Sequence, residues 1–327
     1  MKPIASGTAW RIIVSYQRRY RWHQPIILDV RFGNGVFCCS SRRSGCIRSL
    51  GVFLLGASDA MSLACSIPDG LDMLPEITEA EATGEVAAIY RRIRETQGSP
   101  VVNLIWRHLA TIEGALSWAW PQVETGRPTI EAAMNPMFNF IDQCVARHSL
   151  AIGVSLTSPS PSAIDVLLAY DRGNCWNLLA TTILVAVRAG SPLPSIGYEA
   201  APLPPIRGAV PALRRYLELD ARQRAQVDEL SRVGPGAFSG VLPSLWLHLA
   251  NWPDLLSEVA ASCPPTLAST QFRAACDEVM ERAAVILGLA PLRKAGPAPI
   301  DLSIGAFRQR LPEMLLIGRV LIKATGG

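Results

Sequence analysis

The chain has 327 residues, 49% of them hydrophobic and 18% charged, and a formal net charge of +4. That length and composition suffice for a sizeable buried core and exclude an intrinsically disordered chain. The charge is uneven: nine Lys and Arg face two Asp in the first 60 residues, whereas the rest carries 22 basic and 25 acidic residues, which argues against a nucleic-acid footprint on the body of the protein.

Residues 1–72 are rich in Arg, Cys and Ser, and no helical or strand period is sustained there. The run VFLLGASDAMSLAC has a faint likeness to a signal segment, but Asp59 interrupts it and it lies far from the first residue. The expectation is a poorly ordered N-terminal extension arising from an upstream start, with Met61 or Met73 as the natural beginning. The longest apolar runs, such as LLATTILVAV (178–187), are about half the ~20 residues of a membrane span, so they read as core helices of a cytoplasmic protein. Eight cysteines show no C-x-x-C pair and four histidines are dispersed, so neither a metal nor another cofactor is expected.

From Leu74 the helical period becomes clear. Thr78 and Glu81 have the spacing of a capping box; Val86, Ile89, Tyr90 and Ile93 share one helical face, and Gly98 and Pro100 end it. A second helix carries Leu104, Ile105, Trp106, Leu109 and Ile112, and further helices are predicted near 134–149, 163–169 and 175–189. The segment 191–211 holds six prolines and reads as a linker or wrapping loop. An amphipathic stretch then covers 211–234, followed by a helix around Trp246, one near 268–288 and a last one near 303–324.

Two landmarks recur in the same order. IWRHLA (105–110) returns as LWLHLA (245–250), offset by 140, and 171–187 returns as 308–324, offset by 137. The chain is therefore predicted to be all-α, with tandem helical repeats at 73–190 and 212–327 related by a pseudo-twofold axis and a ligand cleft between them. His108 and His248 become equivalent positions, which favours a packing role for both rings, and the tryptophans read as core.

The sequence resembles the group I 2-haloacid dehalogenases, also called the halocarboxylic acid dehydrogenase family. The likeness rests on ATGEVAAIYRRIR (82–94), SPVVNLIWRHLATIEGALSWAW (99–120), AYDRGN (169–174), LANWPDLL (249–256) and FRQRLPEMLL (307–316). It implies an all-helical, usually dimeric protein that binds a small carboxylic acid between its repeats, with neither nucleic acid nor membrane as partner. It also implies a hydrolase in which water displaces halide directly at C2 of a short 2-haloacid, with inversion, no covalent intermediate and no metal. Asn174 matches the family's water-orienting asparagine, with a helix cap as the alternative. The family's base is an Asp preceded by Ser, six residues before the Asn of Ala-Asn-Trp-Pro; Ser244 matches the Ser, but Leu245 stands at the base. Val101 and Leu104 occupy the substrate-binding aromatic positions. His248, near the same helix face as Leu245, is a substitute base, whereas Asp171 and Glu313 read as helix-start residues. Two further readings stand beside the hydrolase: a non-catalytic helical protein binding a small carboxylate or apolar ligand, and a dimeric scaffold with no ligand.

Overall fold

The computed structural model describes residues 74–99, 101–153, 156, 159–193, 197, 199–200, 210–290 and 298–325, together with short backbone strands within the first forty residues. The chain divides into the units Met1–Ser66 and Ile67–Gly327. In the first, strands β1 (Trp10–Val14), β2 (Gln17–Arg18), β3 (Arg21–Trp22), β4 (Ile26–Gly33) and β5 (Val36–Ser40) pair antiparallel: β4 lies between β1 and β5, and β2 pairs with β3. These strands depart from the expectation that no strand pattern holds there. The signal was the alternation of Asp29-Val30-Arg31-Phe32 and the β-branched run Ile12-Ile13-Val14. Met61 and Met73, the proposed starts, lie outside the described residues.

The second unit is helical, with no strand among its described residues. Its first half contains α1 (Gly84–Gln97), α2 (Leu104–Leu109), α3 (Ala115–Thr125), α4 (Arg127–Arg147) and α5 (Pro161–Arg188). The second contains α6 (Ala221–Arg232), α7 (Ser244–Leu249), α8 (Pro253–Ser262), α9 (Pro264–Ala268), α10 (Thr270–Ile286) and α11 (Pro299–Ala324). No described helix is long and apolar enough to cross a membrane.

The two long helices, α5 and α11, pack on each other at the centre, with α4 and α10 against them. Outside this core α1 packs on α3, and α6 on α8. The short tryptophan helices cross over: α2 contacts α11, and α7 contacts α5. Each short tryptophan helix thus packs on the long helix of the other half. From Gly173 to Ala186 every residue of α5 is buried, because a helix covered on all sides can be apolar on all sides. Trp106, Trp120 and Trp176 form one edge-to-face and stacked cluster with centroids 5.5–6.3 Å apart, which gives Trp106 and Trp120 the core role expected of them.

Several boundaries differ from the sequence reading. The helices expected at 163–169 and 175–189 are one 28-residue helix, capped by the Ser160 side chain, which accepts from Ala163 N at 3.2 Å. Asn174 is therefore mid-helix and caps nothing. Asp171 and Glu313 also lie well inside α5 and α11 and start neither. The Thr78–Glu81 bonds form at 2.6 and 3.0 Å, but they close a turn ahead of α1, which begins at Gly84. Within the amphipathic stretch 211–234 the α-helix begins at Ala221, where Asp220 and Gln223 make a capping box.

Candidate functional site

The tryptophan helices, α5 and α11 together line a partly open cavity of ≈ 50 Å³. This volume suits a ligand of a few heavy atoms and is far below a drug-sized site. α5 contributes Tyr170, Asn174 and Asn177 to its wall, at helical spacings of four and three. α11 contributes Phe307, Leu311 and Met314, the same spacings shifted by 137. Around α2 and α7, Asn103, Leu104 and Ile105 match Pro243, Ser244 and Leu245, shifted by 140. The recurrence seen in the sequence therefore converges on one cavity. Its first-half wall is largely polar, and its second-half wall is largely aliphatic.

Of the six residues singled out from the sequence, Leu104, Asn174, Ser244 and Leu245 line this cavity together. Val101 does not: it lies outside the cavity wall, its backbone held in a turn by Ser99, whose Oγ donates to Val101 O at 2.9 Å. Nor does His248, which sits behind Tyr170. Its Nε2 is 2.7 Å from Pro211 O, so Nε2 carries the proton and Nδ1 accepts from the Tyr170 hydroxyl at 3.2 Å. Tyr170 and Ser244 both line the cavity, so this chain reaches its wall. Burial lowers the pKa of His248, against the opposing effect of its Pro211 bond, and burial raises that of Tyr170. His108 is satisfied in the same way, between Pro75 O at 2.7 Å and Ser303 Oγ at 2.9 Å.

Two lining residues keep buried donors without a partner: Asn174 at Nδ2 and Arg310 at Nε. Asn103 Oδ1 is a third unpartnered polar atom. Gly173 lets Asn103 approach the helix, since a Cβ there would lie 3.2 Å from Asn103 Nδ2. Arg310, 2% exposed, is held by Glu313 Oε1 at 2.6 Å and Ser231 O at 2.8 Å. Glu313 also accepts from Gly236 N at 2.8 Å, and burial raises its pKa against the pull of Arg310. On α5, Asp171 faces Arg319 Nε at 2.9 Å; burial nevertheless pushes its carboxyl up to about 6.

Among the described residues, no Asp, Glu or His lines the cavity. Leu245, 1% exposed, is part of the aliphatic wall. Sequence reasoning missed Tyr170, Asn177, Asn103 and Arg310. The i, i+4, i+7 face through Asn174 was the available signal for the first two.

No family model and no curated protein matches the chain. Solved structures do. A D-2-haloacid dehalogenase mutant in complex with D-2-CPA aligns with TM-score 0.62 and 16% identity, over 78% of this chain and 95% of that one. A crystal structure of a D-2-haloacid dehalogenase mutant aligns with TM-score 0.60 and 18% identity, over 78% and 94%. A complex of D-2-haloacid dehalogenase with L-LA aligns with TM-score 0.61 and 16% identity, over 78% and 96%. The helical unit, with its cavity between α5 and α11, has a group I 2-haloacid dehalogenase-like fold.

Proposed function

We propose that the cavity receives a short 2-substituted carboxylic acid and that the chain is a hydrolase of the 2-haloacid dehalogenase type, working slowly because Leu245 stands at the base position. The observation that carries this reading is the convergence of Asn174, Ser244, Leu245 and Leu104 on one small cavity in that fold. In this scheme water attacks C2 in line with the departing halide, with inversion and no covalent intermediate. The unpartnered Nδ2 of Asn174 fixes the water, since an amide both donates and accepts. Arg310 Nε and Ser244 supply donors for the substrate carboxylate, and the aliphatic wall of Leu245, Leu311 and Met314 receives the apolar part and the halide. With no carboxylate to take it, the proton of the attacking water passes to bulk solvent as halide leaves, and the rate falls by roughly 10²–10⁴. His248 is the positioning residue that holds Tyr170 against the cavity.

The buried Leu245 favours a second reading, binding of a small carboxylate or apolar ligand without turnover. Incubation with D- and L-2-chloropropionate separates the two. The first expects slow chloride release from one enantiomer, abolished by Asn174→Ala; the second expects a rise in melting temperature with no chloride. Neither chloride nor a thermal shift with either acid removes the first reading and the carboxylate form of the second.

A further inference from the structure

Away from the cavity, the C-terminal turn of α4 and the residue after it place Cys144 and His148 four residues apart, on one helical face. α10 packs against α4 and brings Glu278 to the same place. His148 Nε2 lies 2.9 Å from Glu278 Oε1, and Cys144 Sγ lies 3.9 Å from Glu278 Oε2. One sulfur, one nitrogen and one oxygen ligand atom all fall within 4.8 Å of one another. Cys144-x-x-x-His148 is no C-x-x-C pattern, and a helix brings its two ends together.

We propose that Cys144, His148 and Glu278 bind a divalent transition metal of the zinc class. Bond lengths of about 2.0–2.3 Å to such an ion place tetrahedral ligand atoms roughly 3.3–3.6 Å apart, so the two contacts to Glu278 need adjustment by about half an ångström, and Cys144 and His148 close on each other from within 4.8 Å. A mixed thiolate, imidazole and carboxylate set suits zinc and excludes magnesium or calcium, which take oxygen alone. His148 also borders an open groove of ≈ 940 Å³ whose walls include Ser149, Glu258 and Ser269. Solvent from that groove supplies the fourth ligand, and three protein ligands with an open position is the pattern of a reactive zinc centre. Binding exchanges the Cys144 thiol proton, released to solvent, for the metal. Arg147 competes: its Nη1 is 2.6 Å from Glu278 Oε2, on a half-exposed side chain that also lies over the Phe140 ring. None of these residues lines the cavity between α5 and α11, so the proposal stands apart from the hydrolase reading.

The test is a cobalt(II) titration of the metal-free, reduced full chain, followed by displacement with zinc. A thiolate-to-cobalt charge-transfer band is expected and should vanish in Cys144→Ser. His148→Ala and Glu278→Gln should each weaken affinity at least about tenfold, and Arg147→Met should tighten it. The proposal is overturned by the absence of the band, by its persistence in folded Cys144→Ser, which would assign it to another cysteine, or by affinity unchanged in both His148→Ala and Glu278→Gln. Should Cys144→Ser not fold, the half-buried His148 and Glu278 variants decide the matter alone.

Discussion

Tyr170 places its hydroxyl 3.2 Å from Nδ1 of His248, whose Nε2 is 2.7 Å from Pro211 O. The carbonyl fixes the tautomer, the tautomer makes Nδ1 an acceptor, and the tyrosine is the donor that satisfies it. Tyr170→Phe leaves that acceptor buried and unpaired. We expect a loss of about 1–3 kcal/mol in urea unfolding, the range for a stranded buried polar group. An unchanged midpoint would show that the bond contributes nothing. His108 has the same double satisfaction, so the histidine of the repeated Trp-x-His motif secures a helix in each half.

Leu245→Asp tests the alignment of the site. Leu245 is 1% exposed and shares the cavity with Asn174, so an aspartate there is born buried, with its pKa pushed upward. We expect the variant to lose stability and to release chloride from 2-chloropropionate about 10²–10⁴ faster than the unaltered chain. Leu245→Asn, similar in shape but unable to take the proton, should not. Equal rates for the Asp and Asn variants of folded protein count against Leu245 as the base position.

The sequence made the class of fold legible because apolar positions recur at helical spacing and because Trp-x-His-Leu-Ala is written twice. It misread α5 as two helices for a local reason: Gly173-Asn174 disfavours helix by about 1 kcal/mol at the glycine. Packing against α11 outweighs that cost, and the missing Cβ leaves room for Asn103. Asp171 and Glu313 looked like helix starts because charges are rare in helices buried on all sides; their partners, Arg319 and Arg310, become apparent only in three dimensions. Four cavity residues were legible from motif spacing. Arg310 was not, because nothing in its own helix marks the face it presents.

Asp171 makes stability depend on pH in an uncommon direction. Burial holds its carboxyl at about 6, above the ordinary 3.8, despite Arg319 at 2.9 Å. Between about pH 4 and 6 the folded chain keeps a proton that the unfolded chain has shed, so this contribution to stability falls as pH rises through that window. The buried rings of His108 and His248 act oppositely: their lowered pKa values cost stability as pH falls below about 6.5. The site variants separate the two effects. The melting temperature of Asp171→Asn relative to the parent should climb between about pH 4 and pH 7. A constant difference across that range contradicts a raised carboxyl.

Arg310 and Glu313 are 2% and 0% exposed, one turn apart on α11, with Gly236 N and Ser231 O completing their bonds. Such a pair costs much to desolvate, and breaking it from one side is worse than removing it. Arg310→Met should therefore cost about 3–5 kcal/mol by leaving the carboxylate unpaired, whereas Arg310→Met with Glu313→Leu should recover most of the loss. The neighbouring loop is built around the same carboxylate. Gly234 has φ +96°, and a Cβ there would sit 2.7 Å from Glu313 Oε2. Gly234→Ala thus meets backbone strain and a collision together in the parent, but only the strain once Glu313 is removed. Denaturant unfolding of the single and combined variants should show this as a coupling of at least about 0.5 kcal/mol between positions 234 and 313. Strictly additive effects would mean that the glycine is required for its backbone angle alone and that the loop does not close on the ion pair.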